Sequence, residues 1–162
     1  MAAPWQDSMT PVGPPLSARP RVRQLMYAAL VTGGWSALLC LLVYIVGRLV
    51  GVPFEVAPRP GEPLMVVPWF AVILVPLGAA VVLALVGALL RGLRGAGRIV
   101  LWGGTVVAAA SLVAPLMQPA EVGWATRILL ALMHVITWFL VVPQLARIVG
   151  DSEPGRSVDR PA

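Results

Sequence analysis

Between Arg127 and Arg147 the chain runs for 19 positions without a formal charge when its one histidine, His134, is neutral. At about 1.5 Å of rise per helical residue such a run is about 28 Å long, close to the thickness of bilayer hydrocarbon. It predicts a membrane-spanning helix from about Trp124 to Ile148, with an ionisable group well inside it. Three more runs of this kind precede it. There are 24 uncharged positions between Arg23 and Arg48, 28 from Pro63 to Leu90, and a further apolar run from about Ile99 to Met117. Spans are therefore expected at about residues 25–47, 66–90, 99–117 and 124–148. With 59% hydrophobic and 12% charged residues, the chain is too apolar to cover itself with a water-facing surface. The expected fold is an all-α integral membrane protein, an antiparallel four-helix bundle.

Residues 1–23 and 150–162 are Pro-, Gly- and charge-bearing without apolar periodicity, and are expected as disordered tails flanking a membrane domain over 24–149. The first 24 residues lack the order of a signal peptide, so the first span is expected to be retained. All twelve basic residues are arginines. Four spans place nine of them on the side of both termini (Arg19, Arg21, Arg23, Arg91, Arg94, Arg98, Arg147, Arg156 and Arg160) and three, Arg48, Arg59 and Arg127, on the other. This bias predicts both termini in the cytoplasm. Arginines set singly or in threes beside apolar runs suit anionic lipid headgroups, and nucleic acid is not an expected partner despite the net charge of +5.

Two four-residue repeats mark the first span. Ala29, Gly33 and Ala37 form a stripe of small residues suited to close helix approach, while Thr32, Ser36 and Cys40 lie one face round. Cys40 is the sole cysteine, which rules out an intrachain disulfide. Pro76 lies within the second span and Pro143 late in the fourth, where each is expected to bend its helix; Pro115 and Pro119 are expected to end the third. The short Gly-rich turn from Arg91 to Gly97 predicts that spans two and three pack as neighbours.

The polar residues of the fourth span are the candidate site. Thr137 lies about 60° and Gln144 about 80° round the helix from His134, and Arg127 nearly in line with it. Such an arc is costly against lipid, so it is expected to face the bundle interior, with His134, Thr137 and Gln144 as ligand-binding or proton-responsive candidates. A hydrogen bond from a neutral His134 to a Thr, Ser or Tyr across the bundle is the structural alternative. Arg48, Glu55, Glu62, Glu121 and Arg127 are expected as an outer-face polar cluster, with Arg48 and Arg127 pairing with Glu121 or Glu62. One His and one Cys in separate spans make no metal site, and no cofactor is expected. No acid lies at membrane depth, and Ser111 has no acid or His partner in sequence, so neither a proton pump nor a Ser-His-Asp hydrolase finds support. The chain reads as a non-enzymatic binding or structural protein, taking a lipid, another apolar ligand or a partner helix near His134. A small transporter or channel, pH-sensitive or not, is the alternative, and a membrane enzyme or redox subunit using His134 the third. Membrane lipids and a second copy or partner membrane protein are the expected partners.

The stretches VGVPFEV after the first span, LRGLRGAGRIVLWG between the second and third, and TRILLALMHVITWFLVVPQLAR in the fourth resemble a family of small actinobacterial membrane proteins, domain of unknown function 6069. The resemblance covers about Leu25 to Val149, and Leu132, Met133 and His134 are its most distinctive piece. It implies four spans and a bacterial plasma membrane, and it implies no activity.

Overall fold

The computed structural model describes residues 22–59 and 61–151. Its helices are α1 (Val22–Leu49), α2 (Trp69–Leu90), α3 (Ala96–Ser111), the one-turn α4 (Val113–Leu116) and α5 (Trp124–Gly150). Taking α3 and α4 together over Ala96–Leu116, four helices are long and apolar enough to cross a membrane, as a multi-pass protein requires. The tails expected over 1–23 and 150–162 fall almost wholly outside the described residues. Where they overlap, Val22 and Arg23 are helical and Gly150 ends α5.

Proline and a small hairpin set the helix ends. The second span starts at Trp69, because Val66 belongs to a strand. β1 (Glu55–Val56) pairs antiparallel with β2 (Met65–Val66), placing Glu55 opposite Val66 and Val56 opposite Met65. Pro68 then precedes α2 in an extended conformation. At the end of the third span Pro115 has no N–H to give the carbonyl of Ser111, and the helix breaks at Leu112 between α3 and α4. Helical structure continues through Pro76 and Pro143.

Between 17% and 28% of each span's most apolar window is buried inside the protein, so most of the apolar surface points outward. Lipid accepts that surface as readily as a protein core does, which leaves backbone proximity to hold the helices together. The small-residue stripe of α1 supplies it: a Cβ added to Gly33 would lie 2.8 Å from Ala80 Cβ of α2. The other stripe turns to α5, where Ser36 donates to Thr137 Oγ1 at 3.0 Å and Cys40 to the Met133 carbonyl at 3.6 Å. On the far side Gly97 of α3 lies against the Gly150 backbone of α5, and Gly104 against Val142. These contacts correct the expectation that α2 and α3 pack as neighbours. Their connecting turn is short, yet α2 packs chiefly on α1 and α3 on α5, and the two touch little.

Two features close the end of the bundle that carries the hairpin. Phe54 is fully buried, its ring 4.7 Å from that of Tyr44 and pressed against Gly47. Its φ of 51° is a left-handed conformation that a bulky side chain rarely adopts, held here by the ring's burial and by the Val67 N–H donating to its carbonyl at 2.8 Å. The second feature is Arg127, which lies buried in the first turn of α5, where the helix dipole disfavours a cation. It was expected to pair with Glu121 or Glu62. Instead its guanidinium donates to the carbonyls of Val122 at 3.0 Å, Pro119 at 2.7 Å and, more weakly, Leu116 at 3.5 Å. Its plane also lies 4.8 Å over the Trp124 ring. Carbonyls of the α4–α5 loop and of the C-terminal end of α4 thus take the place of a carboxylate and pin that loop to α5.

Gly97→Ala forces its methyl into backbone that cannot yield, so it should destabilise by roughly 1–3 kcal/mol. Gly34→Ala, with nothing within 4 Å of the added carbon, should be neutral or stabilising. Thermal unfolding in detergent compares the two, and equal melting would refute the close approach. By the same assay Arg127→Met, which strips charge-assisted bonds from loop carbonyls, should lose roughly 2–3 kcal/mol. Arg127→Lys should recover only part, because an ammonium cannot fork to separate carbonyls.

Candidate functional site

The separation of α2 from α3 leaves a groove. The two helices are joined by a turn in which Gly92 and Gly95 take left-handed conformations, with φ of 96° and 78°. Past the approach of Gly87 to Val100 an open space lies between them, and α5 forms its floor. The space measures about 700 Å³, within the range of small-molecule sites. Its α2 wall includes Val72, Val75, Pro76 and Ala79, its α3 wall Gly103 and Val107, and its floor Val141 and Val142. Gly104 packs against Val142, whereas a Cβ on the adjacent Gly103 would meet nothing within 4 Å.

Five polar side chains interrupt this apolar lining: Cys40, Ser111, His134, Thr137 and Trp138. His134 is half-buried, and its Nδ1 lies 2.8 Å from the carbonyl oxygen of Leu130, one turn back on its own helix. The expected bond across the bundle is replaced by this local one. Thr137 donates to the Met133 carbonyl at 2.9 Å and accepts from Ser36, tying α1 to α5 at the depth of the histidine. Trp138 Nε1 donates to Thr105 Oγ1 at 3.1 Å and so ties α5 to α3.

The expected arc on α5 is therefore divided. His134 and Thr137 line the groove, while Gln144 is exposed and Arg127 is buried at the other end of the helix, away from the groove lining. Packed helices cross at an angle, so an azimuth covered at Thr137 can be uncovered about 10 Å further along, at Gln144. The outer-face cluster does not form the pairs expected of it. Arg48 donates to the Pro53 carbonyl at 2.9 Å, Glu62 pairs with Arg59 at 3.2 Å, Glu55 sits in β1, and Glu121 is exposed. Among the described residues no three His, Cys, Asp or Glu side chains come together as a metal centre would need.

The sequence alone does not mark the α2 wall or Gly103 as part of a site. Their pattern of valine, alanine and glycine is the same for a packed seam and for an open one. Gln118 was also missed; its side chain accepts from the Ala57 N–H at 2.9 Å and ties the hairpin to the end of the third span.

Searches of curated proteins and of solved structures each return no match. A family model described as a family of unknown function, DUF6069, matches residues 20–151, a stretch that takes in all four spans, and the chain belongs to that family.

Proposed function

We propose that this protein is a non-enzymatic membrane protein that holds a single apolar chain, from a lipid or another bilayer-soluble molecule, in the groove between α2 and α3 beside His134. The observation that carries this reading is the groove itself: about 700 Å³, walled by valine, alanine and glycine, on a protein whose outer surface suits lipid. A partner helix about 10 Å across and spanning the bilayer is several times larger than that space. No Asp, Glu, Lys or Arg lines it, which favours an uncharged chain over an ion. The setting proposed is a bacterial plasma membrane, with an antiparallel bundle and both termini cytoplasmic. Nine arginines against three support that orientation. The order of contacts supports the bundle: Ser36 with Thr137 and Cys40 with Met133, Gly97 with Gly150 and Gly104 with Val142.

Protein purified from its own membrane should carry an apolar molecule enriched over the bulk lipid, measured by mass spectrometry of an organic extract. Gly103→Leu, which puts a side chain into the groove lining at a position whose added Cβ meets nothing within 4 Å, should bring that enrichment to background while leaving the melting temperature unchanged. Equal extracts from both proteins would end the binding reading. For orientation, a cysteine at Gly61 in a Cys40→Ala background should react with an impermeant maleimide in intact cells, and one at Ser152 only after lysis. The reverse pattern would invert the topology.

A further inference from the structure

We propose that the groove selects a single-chain amphiphile with a free hydroxyl, of the long-chain alcohol type, because its polar wall can accept hydrogen bonds and has none to donate. This rests on the binding reading above and adds the chemistry of the ligand's head.

A carbonyl oxygen can only accept, so the 2.8 Å contact with Leu130 places a proton on His134 Nδ1. In the neutral ring Nε2 then carries a lone pair and no proton, and it has no hydrogen-bond partner among the described residues. The four other polar side chains of the lining are committed in the same sense. The hydroxyl of Thr137 donates to Met133, that of Ser111 to the Ala108 carbonyl at 2.7 Å, the thiol of Cys40 to Met133, and the indole N–H of Trp138 to Thr105. On the α2 wall one carbonyl lacks its usual helical donor. Pro76 lacks the N–H that would meet the carbonyl of Val72 in an unbroken helix, and both residues line the groove. Every side-chain N–H, O–H or S–H on the wall is thus already given to the protein. Among the side chains that line the space, what is left uncommitted is acceptor capacity: the His134 Nε2 lone pair and the remaining lone pairs of Ser111 and Thr137.

Such a wall discriminates by the direction of the hydrogen bond. An ether, ketone or ester oxygen brought beside His134 meets only other lone pairs and forms no bond to replace those it leaves behind. A hydroxyl on the same chain donates to Nε2 and gains one neutral hydrogen bond, worth about 3- to 10-fold in affinity.

The test uses the full-length protein in lipid nanodiscs, in mildly alkaline buffer. Its probes are hexadecanol carrying a diazirine in mid-chain and the methyl ether of the same molecule. Crosslinked peptides are read by mass spectrometry at equal probe-to-lipid ratio. Both probes should label the α2 and α3 walls, the alcohol about 3- to 10-fold more, and His134→Phe should abolish the difference while ether labelling persists. Equal labelling by the two probes, or a preference for the ether, overturns the hydroxyl proposal and leaves the binding reading standing. A preference that survives His134→Phe overturns the role of the histidine. Failure of both probes to label the groove removes the binding reading and the proposal with it. Nitrogen-15 NMR of the native chain, whose one histidine yields one pair of ring signals, needs no variant. Nδ1 should be protonated and Nε2 not, with the alcohol and not the ether shifting Nε2. A proton on Nε2 in the neutral ring overturns the assignment.

Discussion

Close approach of backbones at small residues holds this protein together, and the other features of the fold adapt to it. In water a helix gains by hiding leucine and valine; in hydrocarbon that gain is absent, and association rests on packing and the few interhelical hydrogen bonds. α5 is the element that gathers these contacts. It takes Gly97 and Gly104 of α3 on one side and Ser36 and Cys40 of α1 on another. α1 in turn carries α2 through Gly33 and Ala80. With each helix attached along one such seam, α2 and α3 are drawn apart although a short turn connects them.

The number and approximate bounds of the helices were legible because they follow from charge spacing. An uncharged run bounded by arginines has few alternatives when its length matches the hydrocarbon. The Ala29, Gly33, Ala37 stripe was legible for a similar reason, since a four-residue repeat of small side chains has a direct packing meaning. The α2–α3 gap was not legible. Chain connectivity suggested that neighbours in sequence would pack, and the competing attraction of α3 for α5 depends on contacts such as Gly97 with Gly150, which involve residues far apart in the chain.

The polar residues divide along the same line. His134 was recognisable as the one histidine of the chain, deep in a span, and it lies half-buried in the groove lining. Its partner was not recognisable, because a histidine whose Nδ1 binds the carbonyl one turn back carries no mark in sequence. Arg127 illustrates the opposite case. Its charge suggested a carboxylate, whereas the fold surrounds it with carbonyls from a loop whose course depends on the break at Leu112 and the prolines at 115 and 119. A guanidinium has donors enough to be satisfied without any acid.

The gap between α2 and α3 faces sideways, along the plane of the bilayer in which these helices are suited to stand. A molecule entering there never has to leave the leaflet or shed its hydrocarbon surroundings for water. Occupancy would then follow the mole fraction of that molecule among the lipids and be indifferent to its aqueous solubility, so that even a sparingly soluble compound would reach the histidine by two-dimensional diffusion.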